Sequence, residues 1–443
     1  MTAAALDTPA GRAELFRYFE PFSVLGLAVS GGPDSVAMMR LVALWRDDRL
    51  AAGLPVPDIT VLTVDHGLRP GAAEEASLVA RWAAEVGFRH ETLAWRGEKP
   101  ATGIQAAARE HRYRLLTTWA ASQVPAAAIA LAHTRDDQAE TLLMRLARGS
   151  GPDGLAAMRT ETSREGVALL RPLLDVSKAE LLAFLGSIGA ASIEDPSNSA
   201  MKFERVRIRA AGAARIALGL EDDALATTAR RMARAVAALE AETARLLRTC
   251  LGRQPLLHCG VFDWPFDLGA PDEIRIRLLG RILRMVGGTG PGTELELAAV
   301  ERLAARLDQA DFAGATLGRC QLVASRGRVL ICREVGRAPL QLIGLSPGDH
   351  ALWDGRFRVA VAPSGEAPFG REITVCGFGA ALQAAVAAAA PDLAMPAIPA
   401  SALAGLPAFL ADDDLLAVPS VGFQADNPAG RELAFTAEFI ATT

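Results

Sequence analysis

The stretch that decides the fold runs Leu27-Ala28-Val29-Ser30-Gly31-Gly32-Pro33-Asp34-Ser35. The apolar run that ends at Val29 predicts a buried strand, and the apolar spacing after Ser35 predicts a helix. Glycines between them leave backbone N–H groups free at the positive end of that helix, which suits a phosphate group. Pro33 fits the first helical turn, where its missing N–H is not needed. The stretch therefore predicts a phosphate-binding loop, in which Asp34 can hold a magnesium ion on the phosphates.

Glycine loops of this kind occur in several classes of protein. Two glycines alone would indicate a strand-to-helix turn, but the full pattern Ser-Gly-Gly-x-Asp-Ser directly after a strand favours the phosphate site. The Lys-Ser or Lys-Thr pair of the Walker loop is missing, and so is the Gly-x-Gly-x-x-Gly spacing of dinucleotide folds. The loop resembles the PP-loop of the ATP pyrophosphatases, which cleave ATP between its α- and β-phosphates. That resemblance implies nucleotide chemistry without fixing the substrate.

Bulk composition narrows the class of protein. A chain of 443 residues, 51% of them hydrophobic, is long enough for roughly two to four folded domains. It has no apolar run of about 18 residues and no evident secretory signal, so we expect no membrane span and a cytoplasmic protein. The five cysteines form no Cys-x-x-Cys pair, which argues against a disulfide, zinc or iron–sulfur framework. The net charge of −5 argues against a general nucleic-acid coat protein.

Three further apolar runs, near 59–64, 91–95 and 127–132, alternate with helical patterns. This alternation predicts an α/β fold with a doubly wound parallel sheet. Polar clusters follow three of the strands, and they are the loop at 30–35, the pair Asp65-His66 and the segment 133–141. Because the carboxyl ends of parallel strands line the ligand crevice, we expect these clusters to meet in one pocket.

Each cluster also has a plainer interpretation. The 65–67 segment could be an ordinary turn with a glycine at positive φ, and Asp136 and Asp137 could cap the helix that follows them. Asp136 and Glu140 lie four residues apart, so they share a helical face that could bind magnesium or a cationic amine. His133 could carry a proton or be a hydrogen-bonded structural residue. The occurrence of clusters at three strand ends favours the functional interpretation.

A basic segment follows this predicted domain. Residues 201–215 carry one acidic side chain, Glu204, and five basic ones, which are Lys202, Arg205, Arg207, Arg209 and Arg215. Such a run is either a solvated helix face or a surface that binds the phosphates of a nucleotide or of an RNA backbone.

Seven motifs follow one another along residues 20–215. They are Ser30-Gly31-Gly32-Pro33-Asp34-Ser35, Asp65-His66-Gly67-Leu68-Arg69, Ala108-Arg109 with Arg112-Tyr113, Ala132-His133 with Asp136-Asp137-Gln138-Ala139-Glu140-Thr141, Arg148-Gly149-Ser150-Gly151, Arg171-Pro172-Leu173-Leu174 and Asp195-Pro196-Ser197-Asn198. As an ordered set they resemble the tRNA(Ile)-lysidine synthases, a bacterial family of the PP-loop ATP pyrophosphatase superfamily.

The resemblance implies a two-step ligation. ATP adenylates the carbonyl oxygen on carbon 2 of the wobble cytidine in the isoleucine tRNA with a CAU anticodon, and pyrophosphate leaves. The ε-amine of free lysine then displaces AMP, so that the anticodon reads AUA instead of AUG. The cofactors and partners implied are ATP, Mg²⁺, this tRNA and free L-lysine, and a homodimer is left open.

Residue roles follow from the match of this chain to the family motifs. Charge that develops at the α-phosphate needs cations, for which Arg112 and Arg205 are the candidates. Asp137 and Glu140 would bind the lysine amine and help to remove its proton, because an amine of pKa about 10.4 must be deprotonated before it attacks. Metal binding is assigned to Asp34 and Asp136. ATP binding is assigned to Ser30, Gly31, Gly32, Pro33, Asp34, Ser35, Asp65, His66 and His133, and catalysis to Asp34, Asp137, Glu140, Arg112 and Arg205.

The C-terminal half carries no catalytic motif. We predict a catalytic domain over 1–215, a helical domain over 216–314 and a small α+β domain over 315–443. The resemblance implies tRNA binding for the last two, and a helical bundle with a solvated basic face is the alternative for 216–314. Trp353 and Phe357 could stack on bases, although core packing is the more ordinary role.

Three other functions are weighed against this one. A tRNA thiolase of the same superfamily would need cysteines near the catalytic fold, whereas all five lie at or beyond Cys250. An ammonia-using ligase such as NAD or GMP synthetase would leave the basic segment and the two extra domains unexplained. A nucleotide-sensing or RNA-binding module without catalysis would not need the acidic set at 34, 136, 137 and 140.

Overall fold

The computed structural model describes residues 6–68, 71–100, 102–193, 204–265, 268–288, 295–309, 311–325, 327–336, 339–363, 372–426 and 433–441, with the backbone alone at 204–206. The chain divides into two compact units, Met1–Val236 and Ala237–Thr443. Across these described ranges no helix has both the length and the apolar character that a membrane crossing needs. The division into three domains stays a prediction beside this division into two units.

The strands of the N-terminal unit are β1 (Val24–Ala28), β2 (Asp58–Asp65), β3 (Arg89–Ala94), β4 (Ala128–Leu131), β5 (Glu161–Arg164) and β6 (Val167–Leu170). They form one sheet in the order β3-β2-β1-β4-β6-β5. Neighbours run parallel except β5, which pairs antiparallel with β6 at the edge. The predicted doubly wound parallel sheet is confirmed, and the antiparallel edge strand is an addition that the sequence pattern did not indicate.

The helices of this unit are α1 (Pro9–Leu15), α2 (Pro33–Ala51), α3 (Ala72–Glu85), α4 (Ile104–Ser122), α5 (Arg135–Ala147), α6 (Pro152–Leu155), α7 (Lys178–Ser187), α8 (Glu204–Ala210), α9 (Gly212–Ala217) and α10 (Asp222–Leu251), the last of which continues beyond Val236. Consecutive strand residues face opposite layers, as the strand period requires. Val61 packs in the cluster that includes α2, α3 and α7, whereas Leu62 packs in the cluster that includes α4. A Cβ at Gly26 would lie 2.7 Å from Trp119, so glycine there lets α4 lie close to β1.

The C-terminal unit combines helices with antiparallel strands, which are β7 (Phe262–Trp264), α11 (Asp272–Gly287), α12 (Leu297–Leu307), β8 (Ala315–Leu317), β9 (Cys320–Ser325), β10 (Arg328–Arg333), β11 (Ile343–Leu345), β12 (His350–Trp353), β13 (Phe357–Pro363), β14 (Ile373–Gly377), α13 (Ala380–Ala389), α14 (Ala400–Leu403), β15 (Pro407–Ala411), β16 (Asp414–Val418), β17 (Phe423–Gln424) and β18 (Leu433–Phe439). Within the described ranges the sheets have the orders β7-β10-β9-β8, β11-β14-β15-β16-β17 and β12-β13-β18. Trp353 and Phe357 are fully buried. Their predicted core packing is confirmed, and they have no exposed face on which a base could stack.

A buried ion cluster lies at the turn between β12 and β13. The Asp354 carboxylate accepts hydrogen bonds from Arg333 Nε at 2.9 Å, Arg356 Nε at 2.8 Å and Arg319 Nη2 at 2.8 Å. Burial would raise the Asp354 pKa, but the hydrogen bond from Arg333 and the arginine charges outweigh it and lower the pKa. Because Arg333 and Arg356 are only 1% exposed, water cannot replace the carboxylate as their partner.

Asp354→Asn is expected to lower the free energy of unfolding by about 3–5 kcal/mol, since it leaves buried arginine charges without a counter-charge. Denaturant unfolding of the full chain measures the change. The matched control is Glu438→Gln, which removes the partner of Arg358 in an exposed ion pair and should cost less than about 1 kcal/mol. Equal effects of the two substitutions would contradict a stabilising role for the buried cluster.

Candidate active site

The loop between β1 and α2 has the geometry of a phosphate-binding turn. Gly31 has a φ of +89°, and a Cβ there would lie 2.5 Å from the Ile193 side chain, so the position requires glycine. Ser35 Oγ accepts from the Ser30 N–H at 3.2 Å and donates to the Gly32 carbonyl at 2.9 Å, which closes the turn. A proline occupies the first turn of α2, as predicted, and no side chain caps this helix end. Pro33 has no N–H and the Ser35 N–H donates to the Gly32 carbonyl at 3.1 Å, so within this first turn the Asp34 N–H is the donor that can bind an anion.

Asp34 lies on the first turn of α2, directly after the loop. Its Oδ1 atom is buried and has no hydrogen-bond partner among the described residues, while its Oδ2 atom lies 4.0 Å from Lys178 Nζ. Burial raises the pKa of Asp34 to about 6, with the charge of Lys178 opposing the rise and those of Asp137 and Asp136 adding to it. An unpartnered carboxylate oxygen beside a phosphate loop fits Mg²⁺, which commonly binds one or two carboxylates together with substrate phosphates.

Asp65 is the last residue of β2, and His66 follows it. Asp65 Oδ1 accepts the Gly67 N–H at 2.8 Å, and Gly67 has a φ of +58°, which is the ordinary turn considered above. The His66 ring packs edge-on against Trp95, and its buried Nδ1 atom has no partner in the described part of the chain. Burial and the charge of Arg112 lower the His66 pKa. A neutral imidazole therefore lies at this strand end, and ATP binding by the pair stays a prediction.

His133 follows β4, and its pKa is far from the ordinary value of a histidine. Burial lowers its pKa to about 3, with Asp137 opposing the shift and Arg171 and Arg112 assisting it. Its buried Nδ1 atom lacks a partner among the residues that the structure describes. A ring of such low pKa stays neutral near pH 7, so the structure disfavours the hypothesis of a proton carrier. Its ATP-binding role stays a prediction.

Asp137 combines a structural role with a charged environment. Its Oδ2 atom accepts the Thr134 N–H at 2.9 Å and the Thr134 hydroxyl at 3.0 Å, which forms the capping box of α5. Its Oδ1 atom accepts from Lys178 Nζ at 3.2 Å and lies 3.6 Å from Arg209 Nη2. Burial would raise the Asp137 pKa, but Lys178 and the Thr134 hydrogen bonds lower it overall. The capping interpretation and the charged-site interpretation therefore both hold for this residue.

Glu140 lies one turn further along α5 and is 4% exposed. Its Oε2 atom accepts from Arg209 Nη2 at 3.0 Å, and Arg209 Nε donates to its Oε1 atom. The hydrogen bond to Glu140 raises the Arg209 pKa. Arg209, which the sequence analysis grouped with a phosphate-binding or solvated segment, thus pairs with the predicted lysine-binding acid.

Arg112 and Arg205 were the predicted cations of the site. Arg112 is half-buried on α4, and its charge lowers the pKa of both His66 and His133, so it lies near the ends of β2 and β4. Burial lowers the pKa of Arg112 itself. The side chain of Arg205 lies outside the described residues, as do Lys202 and the motif at 195–198. The catalytic roles of both arginines stay predictions.

Lys178 is a site residue that the sequence analysis missed. It occupies the first position of α7, which begins at a capping box formed by Ser177 and Glu180. Lys178 Nζ lies 3.2 Å from Asp137 Oδ1 and 4.0 Å from Asp34 Oδ2. This lysine therefore connects the acidic segment at 133–141 to the phosphate loop. The signal that could have found it is its place just after β6, another parallel strand that ends at the same edge of the sheet.

Asp136, on α5, contacts the backbone of α7. Its Oδ2 atom accepts the Lys178 backbone N–H at 2.8 Å, so one carboxylate oxygen caps α7. Over the described ranges, no group of three or more His, Cys, Asp or Glu side chains is arranged to hold a metal ion without other ligands. Metal binding by Asp136 beside Asp34 stays a prediction, in which phosphate would have to complete the ligand set.

Comparison with known proteins defines the class. Residues 11–213 match the family model of the PP-loop domain that binds ATP, which spans the sheet and the loop described above. The tRNA(Ile)-lysidine synthase of Bradyrhizobium diazoefficiens is 45% identical over 358 residues, which cover 79% of this chain and 93% of that protein. The tRNA(Ile)-lysidine synthase of Ruegeria pomeroyi is 39% identical over 410 residues, 91% of this chain and 90% of that protein. The chain belongs to the tRNA(Ile)-lysidine synthase family, whose members are ATP-using ligases.

Solved structures resemble this chain only weakly. A tRNA thiolase from Methanococcus maripaludis is 13% identical, with a TM-score of 0.42 over 50% of this chain and 77% of that one.

Proposed function

We propose that the chain ligates free L-lysine to carbon 2 of the wobble cytidine in the isoleucine tRNA with a CAU anticodon, using ATP and releasing AMP and pyrophosphate. The observation that carries the proposal is the cluster of charged side chains beside the phosphate loop. In it Lys178 contacts Asp137, and Arg209 contacts both Asp137 and Glu140. A nucleotide site and carboxylates that suit a cationic amine thus occur at one strand-end crevice. Family membership supports the same reaction.

Binding of ATP would use the loop at 30–35 and the N-terminus of α2 for phosphate. Asp34, with Asp136, would hold Mg²⁺, which would supply positive charge to the phosphates. Arg112 would stabilise charge that develops at the α-phosphate, and Arg205 would assist it. His133, held neutral by burial, would offer a hydrogen bond and no charge.

Lysine binding would use the acidic side chains of α5. Because its pKa is lowered, Asp137 stays ionised and anchors an ammonium group better than it accepts a proton. Lys178 and Arg209 would lower the pKa of a substrate amine bound beside them, because like charges disfavour its protonated form. The cluster therefore supports both capture of lysine and release of the proton that blocks its attack.

Incorporation of radiolabelled lysine into an unmodified transcript of this tRNA tests the proposal. Label that enters the RNA only when ATP is present supports it. A transcript whose wobble cytidine is replaced by uridine is the control and should take up no label. Pyrophosphate release on adding tRNA, without label, would contradict lysine as the second substrate.

The thiolase alternative is disfavoured by the state of the cysteines. All five are unpaired thiols of the C-terminal unit, which contains no part of the PP-loop sheet. Burial raises the pKa of Cys259 to about 11 and that of Cys332 to about 12. Such thiols are rarely ionised near pH 7 and are poor carriers of sulfur. The tRNA-binding roles of 216–314 and 315–443 and the homodimer stay predictions.

Lys178→Met is expected to move the acid limb of the pH–rate profile for pyrophosphate release to higher pH. The Lys178 charge lowers the pKa of Asp34 and of Asp137, so its loss leaves both carboxylates protonated to higher pH. Initial rates between about pH 5 and pH 8 measure the limb. Lys178→Arg keeps the charge and should keep the wild-type limb. An unmoved limb in Lys178→Met would show that this contact does not govern the titration.

A further inference from the structure

An arginine-rich groove lies beside the active site within the N-terminal unit. One wall is formed by the loop after α6, including Met158 and Arg159, and the other by the first half of α10. The groove has a volume of about 590 Å³. Its lining includes a single carboxylate, that of Asp175, and four arginines, which are Arg159, Arg230, Arg231 and Arg234.

Two of these arginines have no charged partner in the part of the chain that the structure describes. Arg230 Nη1 donates to Asp175 Oδ1 at 2.8 Å, and Arg159 lies 4.0 Å from Asp153. Arg231 and Arg234 are exposed and form no ion pair or side-chain hydrogen bond with the described residues. In a chain of net charge −5, this concentration of positive charge in a concave surface predicts an anionic partner.

The groove is fixed to the same helix that carries the predicted lysine-binding acids. Gln138, on α5, donates to the Met158 carbonyl at 2.7 Å and accepts the Met158 N–H at 2.8 Å. Arg145, also on α5, donates to the Gly154 carbonyl at 2.9 Å and so holds the preceding turn. Because Gln138 follows Asp137 directly, the same turn of α5 carries a side chain of the groove and one of the acidic cluster, on different faces of the helix.

We propose that this groove binds the phosphodiester backbone of the substrate RNA, next to the base on which the reaction occurs. The inference rests on the proposed function and adds a binding surface to it. Guanidinium groups match phosphate with paired N–H donors, and unpaired arginines bind phosphate without breaking an existing ion pair. A base that is modified must leave the stack, so the enzyme needs backbone contacts that hold the neighbouring nucleotides.

The test compares tRNA binding by the full-length wild type and the double variant Arg231→Gln/Arg234→Gln across a range of salt concentrations. Loss of two phosphate contacts should weaken binding and reduce the slope of log K against log salt by about 1.4–1.8. The KM for tRNA should rise while the KM values for ATP and lysine stay unchanged. Arg231→Lys/Arg234→Lys keeps the charge and should keep most of the slope.

The matched control is Arg17→Gln/Arg81→Gln, which removes two exposed arginines of the N-terminal unit that lie outside the groove and outside the predicted tRNA-binding domains. It changes the net charge equally and should leave the slope at the wild-type value. If the groove variant behaves like this control while the wild type still incorporates lysine, the inference is wrong and the proposed function stands. If the wild type neither binds nor labels the tRNA, the proposed function fails and the inference fails with it.

Discussion

Asp34→Asn is expected to reduce ATP-dependent pyrophosphate release by about 100-fold or more and, at the same time, to make the ligand-free protein more stable to heat. The loss of activity follows from the proposed role of the carboxylate as a ligand of the magnesium ion on the phosphates. The gain in stability follows from burial, which raises the Asp34 pKa from 3.8 to about 6. Asp34→Asn therefore separates the contribution of this carboxylate to activity from its cost to stability.

The sign of the stability effect comes from proton linkage. The native carboxyl holds its proton to higher pH than the unfolded chain does, so stability falls as the pH rises from about 4 to about 6. At pH 7 the whole cost is present, about 1–3 kcal/mol for a shift of this size. Asparagine carries no charge and removes that cost, which should raise Tm by about 2–4 °C per kcal/mol.

The measurements are pyrophosphate release and thermal melting at pH 7 and at about pH 4, where the wild-type carboxyl is largely protonated and the difference in Tm should shrink. Asp47→Asn is the control, because Asp47 lies exposed on the same helix and, among the residues that the structure describes, forms an ion pair only with its neighbour Arg46. A lower Tm for Asp34→Asn would contradict the burial argument. Near-normal pyrophosphate release would contradict the metal-binding role.

Local patterns predicted the parts of the site that belong to single elements. The loop at 30–35 is set by a strand, two glycines and a proline within a few residues, and its turn has the expected form. The capping box of α7 is likewise formed within four residues, from Ser177 to Glu180. Apolar runs that alternate with helical patterns predicted the parallel sheet, and the strand ends then indicated where polar side chains would meet.

The pairings between elements could not be predicted in the same way. Lys178 and Asp137 are 41 residues apart, and Arg209 and Glu140 are 69 apart. Which cation reaches which carboxylate depends on how α7 and α8 pack against α5, and no periodicity encodes that packing. For the same reason the sequence left a proton-carrying role open for His133, whereas burial among arginines keeps its ring neutral.

Asp137→Asn is expected to raise the KM for lysine about 10–100-fold and to slow ligation, while pyrophosphate release continues. The asparagine oxygen can still accept the Thr134 N–H, so the cap of α5 is kept in part. What is lost is the negative charge that would bind the lysine ammonium group, and a hydrogen bond to a charged group is worth about 1.5–3 kcal/mol. Adenylation of the tRNA and ligation of lysine should therefore respond differently to Asp137→Asn.

A pH profile gives this substitution a second readout. The Asp137 charge raises the pKa of Asp34, so Asp137→Asn should move the acid limb of pyrophosphate release to lower pH. Lys178→Met should move the same limb in the opposite direction, because its charge acts with the opposite sign on the same carboxyl. A general loss of structure would not produce opposite shifts.

The control for the cap is Glu180→Gln, since Glu180 accepts the Ser177 N–H at 2.7 Å in the equivalent box of α7. If Glu180→Gln raises the KM for lysine as much as Asp137→Asn does, the effect comes from fraying of a helix end rather than from the lost charge. If Asp137→Asn instead stops pyrophosphate release and leaves the KM for lysine unchanged, the carboxylate acts in adenylation. If only Asp137→Asn raises the KM for lysine, and its acid limb also moves to lower pH, two conclusions follow. The Asp137 charge binds the lysine amine, and the same charge raises the pKa of Asp34.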